Sequence, residues 1–539
     1  MRDLKRYGVS VLRDPARAMA SVVTATVVAA VGVTAVGCLA WLIVMPHVAD
    51  LAAQYSRTQF LRDGATTYST SWFGGTALPN YSLIAPWLMD VFTPEAVAVI
   101  ATLASAVAGG LLLRKAPRPR LAAVVLALSL LGNLLSGRIT FAVGLAFAMW
   151  ALVGATHVRR GDGKARWLIV ASCASAALSS AGSPVAGVLL LIVLGAWVLA
   201  GPGRAELKIN VAIGACAAVP LGMMAVLFPG AGYQPFTFAT ASTAFLISLI
   251  VAVAPGSRSV RTSALVSMVA IVGCYFIHSA LGSNVVRITL LFSAVALVAT
   301  ARLRPKFLAV AMLPGLLWPV FQVSGDISVS NDASSSAGYY SDLIAQLKAL
   351  PDVSLHRVEV VEPRTHRQAY YLLGAASIAR GWNRQLDRAA NPILYTTKTI
   401  QPDAYRQWLD SLAVAYVAVP DAPKDFGSQS EAALLETPPA YLQPVWNGVH
   451  WKLYRVVSPM PLASGVARVV AQRPAGLDLT VDRPGEAFLR LRWSRGLELH
   501  GVAGCLRPAG EWTQAIFRAA GRATVTGTWN GLFAQTCPE

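Results

Sequence analysis

PEAVAVIATLASAVAGGLLLRKAPRPRLAAVVLALSLLGNLLSGR, residues 94–138, decides the fold. Residues 94–113 carry a single charge, Glu95, and then meet four cations between Arg114 and Arg120. A second apolar stretch, 121–136, follows and closes on a tight Ser136-Gly137-Arg138. A helix that crosses a bilayer needs about 20 apolar residues, and short loops rich in Lys and Arg stay cytoplasmic. One apolar run, one basic junction and one nearly bare turn therefore describe a hairpin of two spanning helices.

Outward from this hairpin the alternation repeats. Spans are expected near 21–45, 94–113, 121–136, 139–156, 167–182, 184–201, 209–228, 238–254, 263–282, 288–301 and 307–322, about eleven in all. The basic junctions are Arg2 to Arg17, Arg114 to Arg120, Arg159 to Arg166, Arg204 with Lys208, Arg258 with Arg261, and Arg302 to Lys306. They occupy every second junction, which puts the N-terminus inside and residues 323–539 outside. The first span is too long for a signal peptide and lacks a cleavage site, so it reads as an anchor that stays. The expected fold is a polytopic α-helical bundle (1–322, with a structured outer loop at 46–93) in the plasma membrane.

Composition agrees. Of 539 residues, 55% are hydrophobic and only 13% charged. The net charge of +18 is uneven: residues 1–322 hold 24 Lys/Arg against 8 Asp/Glu, and residues 323–539 hold 21 against 19. The excess sits in inner loops, which leaves no basic face for nucleic acid. Cys38, Cys173, Cys216 and Cys274 lie inside spans, whereas Cys505 and Cys537 lie in the exported part, where a disulfide is permitted.

Beyond 322 the composition changes. Residues 324–338, rich in Ser, Asp and Asn, read as a linker. Helical and strand-like runs then alternate to about 460, an extracytoplasmic α/β unit (323–460). From 461 to 539 the strands are short and separated by Pro and Gly, the pattern of a small β-sandwich.

The first outer loop holds most of the candidate chemistry. It opens with His47-Val-Ala-Asp50 and passes Arg57, Arg62, Asp63 and Gly64 to Trp72-Phe-Gly-Gly75, Pro79-Asn-Tyr81 and Pro86-Trp87. A carboxylate just beyond a membrane helix is either solvated or used. Trp41, Trp72, Tyr81 and Trp87 suit an interfacial aromatic belt, and Trp72 and Tyr81 also suit stacking on a sugar. Arg138 and Arg287 are the only cations at outer turns after this loop. Cations are costly in lipid, and guanidinium matches phosphate in bidentate fashion; snorkelling to headgroups is the plainer alternative. Asn284 either bonds a sugar or caps the following helix. His278 reads as a packed helix residue. In the exported part, Glu359 and the Arg380-Gly-Trp382-Asn-Arg384 cluster suit either glycan binding or an internal salt network.

The loop-1 Asp, the Gly64-to-Trp72-Phe-Gly-Gly75 spacing and Pro79-Asn-Tyr-Ser-Leu-Ile-Ala-Pro-Trp-Leu88 resemble the first extracytoplasmic loop of GT-C polytopic membrane glycosyltransferases. More narrowly, they resemble an actinobacterial membrane-protein group of that superfamily. Ser136-Gly-Arg138, Gly182-Ser-Pro184, Gly282-Ser-Asn-Val-Val-Arg287, Ala379 to Asp387 and Trp451 to Val456 fit the narrower group. The resemblance implies an inverting glycosyltransferase in cell-envelope biogenesis, with a polyprenyl-phosphate sugar donor and an envelope glycan or glycolipid acceptor. Within that reading Asp50 is the general base, with His47 orienting or replacing it. Arg138 and Arg287 hold the donor phosphate, and Asp63, Trp72, Tyr81 and Asn284 contact substrate. Family members carry paired acids in this loop. Here the next acid after Asp50 is Asp63, so a divalent metal stays an open question and no metal ligands are assigned.

Two other classes compete. A secondary transporter or lipid-carrier flippase calls for acids within the spans, which this chain almost lacks. A non-catalytic envelope-assembly protein gives loop 1 no reason to roof a cavity.

Overall fold

The computed structural model describes residues 15–158, 165–230, 232–533 and 536–537. The basic clusters Arg2 to Arg13 and Arg159 to Lys164 lie outside the described residues.

The chain opens with α1 (Pro15–Val44). The first outer loop then forms α2 (Ala49–Arg62), the short paired strands β1 (Tyr68–Ser69) and β2 (Thr76–Ala77), and α3 (Ala85–Phe92). Next come α4 (Pro94–Leu113), α5 (Pro119–Leu135), α6 (Ile139–Val158), α7 (Ala165–Gly182), α8 (Pro184–Leu199), α9 (Arg204–Leu227), α10 (Phe238–Val253), α11 (Arg258–Phe276), α12 (Arg287–Thr300) and α13 (Pro305–Ser328). Every apolar run coincides with a helix. Among the described residues seven are long and apolar enough to cross a membrane: 21–44 of α1, α4, α6, α9, α11, α12 with the turn before it, and α13. Helices α5, α8 and α10 are apolar and shorter. Leu126, Met149 and Val298 lie in the bundle core, while Val36, Ile43, Val226 and Phe321 stand exposed on its flank. Apolar residues inside and out are what a helical bundle in lipid requires. The fold is polytopic and helical.

Two segments depart from the sequence reading. Helix α11 stops at Phe276, so His278 lies beyond it, exposed, with its ring edge-on to Tyr233. The segment 324–338 is no linker. Helix α13 runs on to Ser328 and gives way to three 3-10 turns in which Ser334, Tyr339 and Tyr340 are buried. The polarity that suggested a linker is used internally: Asp332 caps the second turn, and the Tyr340 hydroxyl donates to the Ser334 carbonyl at 2.9 Å.

The C-terminal half holds three four-stranded sheets. After α14 (Ser341–Ala349), a sheet of order β3-β4-β6-β5 forms from β3 (Arg357–Val360), β4 (Val414–Pro420), β5 (Leu442–Asn447) and β6 (Trp451–Val456). β3 and β4 run parallel, and the others antiparallel. Five helices surround this sheet: α15 (Gln368–Tyr371), α16 (Arg384–Ala390), α17 (Ile393–Thr396), α18 (Pro402–Ser411) and α19 (Gln429–Leu435). Residues 463–527 form two antiparallel four-stranded sheets whose inner faces bury Leu477, Leu479, Leu489, Leu491 and Val525. Alternate burial along Ala487, Leu489 and Leu491 is the period-2 signature of a sheet with one packed face. Cys505 and Cys537 form a disulfide.

The first outer loop joins the two halves. The Tyr68 hydroxyl donates to the Arg492 carbonyl at 2.6 Å, the Ile378 amide to the Ser71 carbonyl at 2.9 Å, and the Trp72 indole to the Ala369 carbonyl at 3.2 Å. The C-terminal half therefore sits at the same end of the bundle as this loop.

Candidate active site

A sharp turn follows α1, with Met45 at φ 43, and α2 begins at Ala49. Asp50 falls in its first turn, where the unpaired amides of a helix N-terminus favour a carboxylate. The α5–α6 turn packs directly against this start. Gly137 has φ +71, and a Cβ there would stand 2.7 Å from Val48 Cγ2 and 2.8 Å from Leu51 Cγ. Only glycine permits this approach without strain. The next residue, Arg138, consequently lies between two carboxylates: its Nε is 3.4 Å from Asp50 Oδ2 and its Nη2 3.3 Å from Asp326 Oδ2 at the end of α13. Its Nε is buried and has no aligned hydrogen-bond acceptor.

A second glycine turn supplies Arg287. The 3-10 turn Gly282–Val286, with Gly282 at φ +39, packs on Gln234 and carries Asn284. Arg287 opens α12 with its guanidinium 4.6 Å from the ring centre of Phe141. From α2, the buried Arg57 lies 3.5 Å over Tyr81. Burial lowers its affinity for a proton, and Tyr81 and Asp50 partly restore it.

Asp50, Arg57, Tyr81, Arg138, Asn284, Arg287 and Asp326 all line one cavity of about 1200 Å³. Leu221, Met224 and Ala225 of α9 and Leu290 of α12 give it an apolar side. Helix α9 packs on α7 and α8, whereas α10 packs on α11 and α12, and both α9 (Leu221, Met224) and α10 (Thr240) line the cavity. The opposite boundary belongs to the C-terminal half: Arg364, His366, Trp382, Arg384, Lys424, Asp425 and Phe426. Six Arg and Lys side chains against three Asp give the cavity a cationic excess. Arg57 and Arg287 have aromatic and carbonyl neighbours but no ion pair among the described residues. Such guanidinium groups in a partly apolar chamber suit an anion carried on a hydrophobic chain.

The structure separates other residues that the sequence grouped. His47 is exposed and outside the cavity lining, with a backbone contact at Ser335; burial and the charge of Arg367 lower its pKa. Asp63 caps the far end of α2 and accepts from Gln59 at 2.8 Å. Trp72 is 2% exposed, edge-on to Phe60 and Phe73, so it is a core residue, not a sugar platform or part of a belt. Trp41 is equally buried; Trp87, at 44% exposure, is the belt candidate that remains at the surface. Arg380 and Glu359 are fully buried: Arg380 bonds Asp387 at 2.7 Å and Glu362 at 2.8 Å, with Glu431 and Glu359 near 3.7 and 3.9 Å. They form a salt network behind the cavity wall, which settles their two readings against direct glycan contact. Among the described residues no group of three or more His, Cys, Asp or Glu is placed to hold a metal ion.

Sequence reasoning missed Asp326 and, apart from Trp382 and Arg384 of the polar-aromatic cluster, the C-terminal wall. Asp326 was discoverable: Phe321 to Ser328 continues the helical run without Pro. The wall was not, because nothing in one sequence says which loops of one domain face another.

No family model matches this chain, and no curated protein matches it. Among solved structures it is similar to the arabinofuranosyltransferase AftD from mycobacteria (TM-score 0.46, 16% identity), covering 84% of this chain and 43% of that one. The chain thus spans less than half of AftD. It is also similar to ArnT from Cupriavidus metallidurans, in the apo state (TM-score 0.42, 12% identity, 76% and 93% covered) and bound to undecaprenyl phosphate (0.41, 13%, 79% and 97%).

Proposed function

We propose that this chain is a GT-C-type membrane glycosyltransferase that moves a sugar from a polyprenyl-phosphate donor to a cell-envelope glycan or glycolipid. Its eleven helices cross the plasma membrane, the N-terminus is cytoplasmic and residues 323–539 lie outside. The observation that carries this reading is the meeting of Asp50, Arg138 and Arg287 in one chamber with an apolar side. An anchor or an assembly scaffold has no use for such a chamber.

In this reading the polyprenyl chain enters between α9 and α10, and its phosphate lies against Arg138 and Arg287. The acceptor hydroxyl oxygen attacks the anomeric carbon from the face opposite the phosphate. As the new C–O bond forms, the bond from the anomeric carbon to the phosphate oxygen breaks, and the configuration inverts. Asp50 takes the hydroxyl proton, and polyprenyl phosphate departs with its charge met by the guanidinium groups. Asp326 shares Arg138 with Asp50 and holds that guanidinium between them. Tyr81 and Asn284 line the sugar's space. His47 and Asp63, outside the lining, have no part in this step.

The test is transfer from a polyprenyl-phospho-sugar by purified protein. Asp50→Asn keeps the shape and removes the base, so the rate falls by about 10²–10⁴-fold. Full activity in Asp50→Asn would show the base assignment to be wrong.

A further inference from the structure

The cavity's outer wall is built by two loops that follow the carboxyl ends of the parallel strands β3 and β4, the position where α/β sheets characteristically bind ligands. One loop carries His366, the other Asp425 and Phe426, and the segment leading into α16 brings Trp382 and Arg384 against them. Their side chains are fixed by one another. Arg384 grips both oxygens of Asp425 at 2.6 and 2.8 Å, and His366 Nε2 meets Asp425 at 3.2 Å. The His366 ring stacks on Trp382 at 3.6 Å with 7° between planes. His366 also holds φ +52, a conformation costly for a residue with a side chain.

What this assembly supports is Phe426. Its ring is 54% exposed and lies in the cavity wall, with the Arg384 guanidinium 4.4 Å from its centre. Gln385 and Gln429 line the same wall, and their amides make no side-chain hydrogen bond among the described residues. Arg384 covers one face of the ring; its exposed remainder, with these amides in the lining of the same cavity, suits a ligand with an apolar C–H face and hydroxyls around its rim. Aromatic faces carry negative potential that attracts such C–H groups, and each amide offers one acceptor and two donors to hydroxyls.

We infer that Phe426, Gln385 and Gln429 form a saccharide subsite, and that it seats the acceptor glycan against the transfer chamber. The assignment to the acceptor rests on the transferase reading given above; the saccharide site itself does not.

Full-length protein in nanodiscs is exposed to an array of pentose and hexose tetrasaccharides, and separately to polyprenyl phosphate. The wild type binds at least one tetrasaccharide. Phe426→Ala weakens that binding about tenfold, Gln429→Ala weakens it less, and Phe533→Ala, an exposed ring elsewhere, leaves it unchanged. Retained polyprenyl-phosphate binding by Phe426→Ala shows that the variant is folded. A wild type that binds no tetrasaccharide, or a Phe426→Ala protein that binds as well, overturns the subsite. Tetrasaccharide binding without any polyprenyl-phosphate binding supports the subsite while removing the transferase reading.

Discussion

Gly137 shows how one residue sets the site. Its positive φ and the nearness of Val48 and Leu51 leave no room for a methyl group, and the adjacent Arg138 owes its place beside Asp50 to that contact. Gly137→Ala should cost about 1–3 kcal/mol of stability and lower transfer by displacing Arg138. A thermal melt and a rate measurement check both effects, and an unchanged rate would uncouple the turn from the site. His366 makes a pH prediction. Burial, the largest influence, pushes its imidazole below its ordinary value; Asp425 opposes this, and Arg384 and Arg380 add to it. The unfolded histidine, near pKa 6.5, takes its proton before the folded one does. Stability is therefore full above that value and is lost as pH falls toward the folded pKa. Melting between about pH 7.5 and about pH 5.5 should fall more steeply for the wild type than for His366→Asn, whose side chain tolerates positive φ. Equal slopes would mean that His366 does not titrate differently on folding.

At the scale of elements, hydropathy and charge made the helices legible. Each apolar run became a helix because lipid leaves the backbone no other way to satisfy its amides. The short turns at 136–138 and 282–287 were legible too, since a lone Arg at a bare turn stands out. Polar segments were harder to read. Residues 324–338 look like a linker by composition, yet their hydroxyls and Asp332 find partners, and Ser334 and Ser335 are buried next to the buried Tyr339 and Tyr340. Trp72 reads as a surface ring by sequence because aromatic residues near a membrane suggest a belt; its packing on Phe60 is a tertiary contact that no local pattern reveals. Glu359 and Arg380 bear the same lesson, because charge in a sequence suggests surface. Behind the cavity wall Arg380 faces Glu359, Glu362, Asp387 and Glu431 together. Burial raises the pKa of Glu359, Glu362 and Glu431, and Arg380 pulls them back. Arg380→Met should destabilise the C-terminal half by about 3–5 kcal/mol, read as a lower melting temperature. A neutral effect would show that those carboxyls are held protonated without it.

Across the whole molecule, the chamber exists because two halves close on it. Helical turns supply Asp50, Arg138 and Arg287 from below, two strand-end loops and the start of α16 supply His366, Phe426 and Arg384 from above, and the first outer loop bonds the halves together. The transporter alternative fits this arrangement poorly: Asp326, the acid added to the helices by the structure, sits at the end of α13 and pairs with Arg138 at the chamber. The most direct measurement is an experimental structure of the full chain in lipid with polyprenyl phosphate bound. The account predicts the phosphate within hydrogen-bonding distance of Arg138 or Arg287 and the chain leaving between α9 and α10. A phosphate bound elsewhere on the bundle, with the chamber empty, would contradict it.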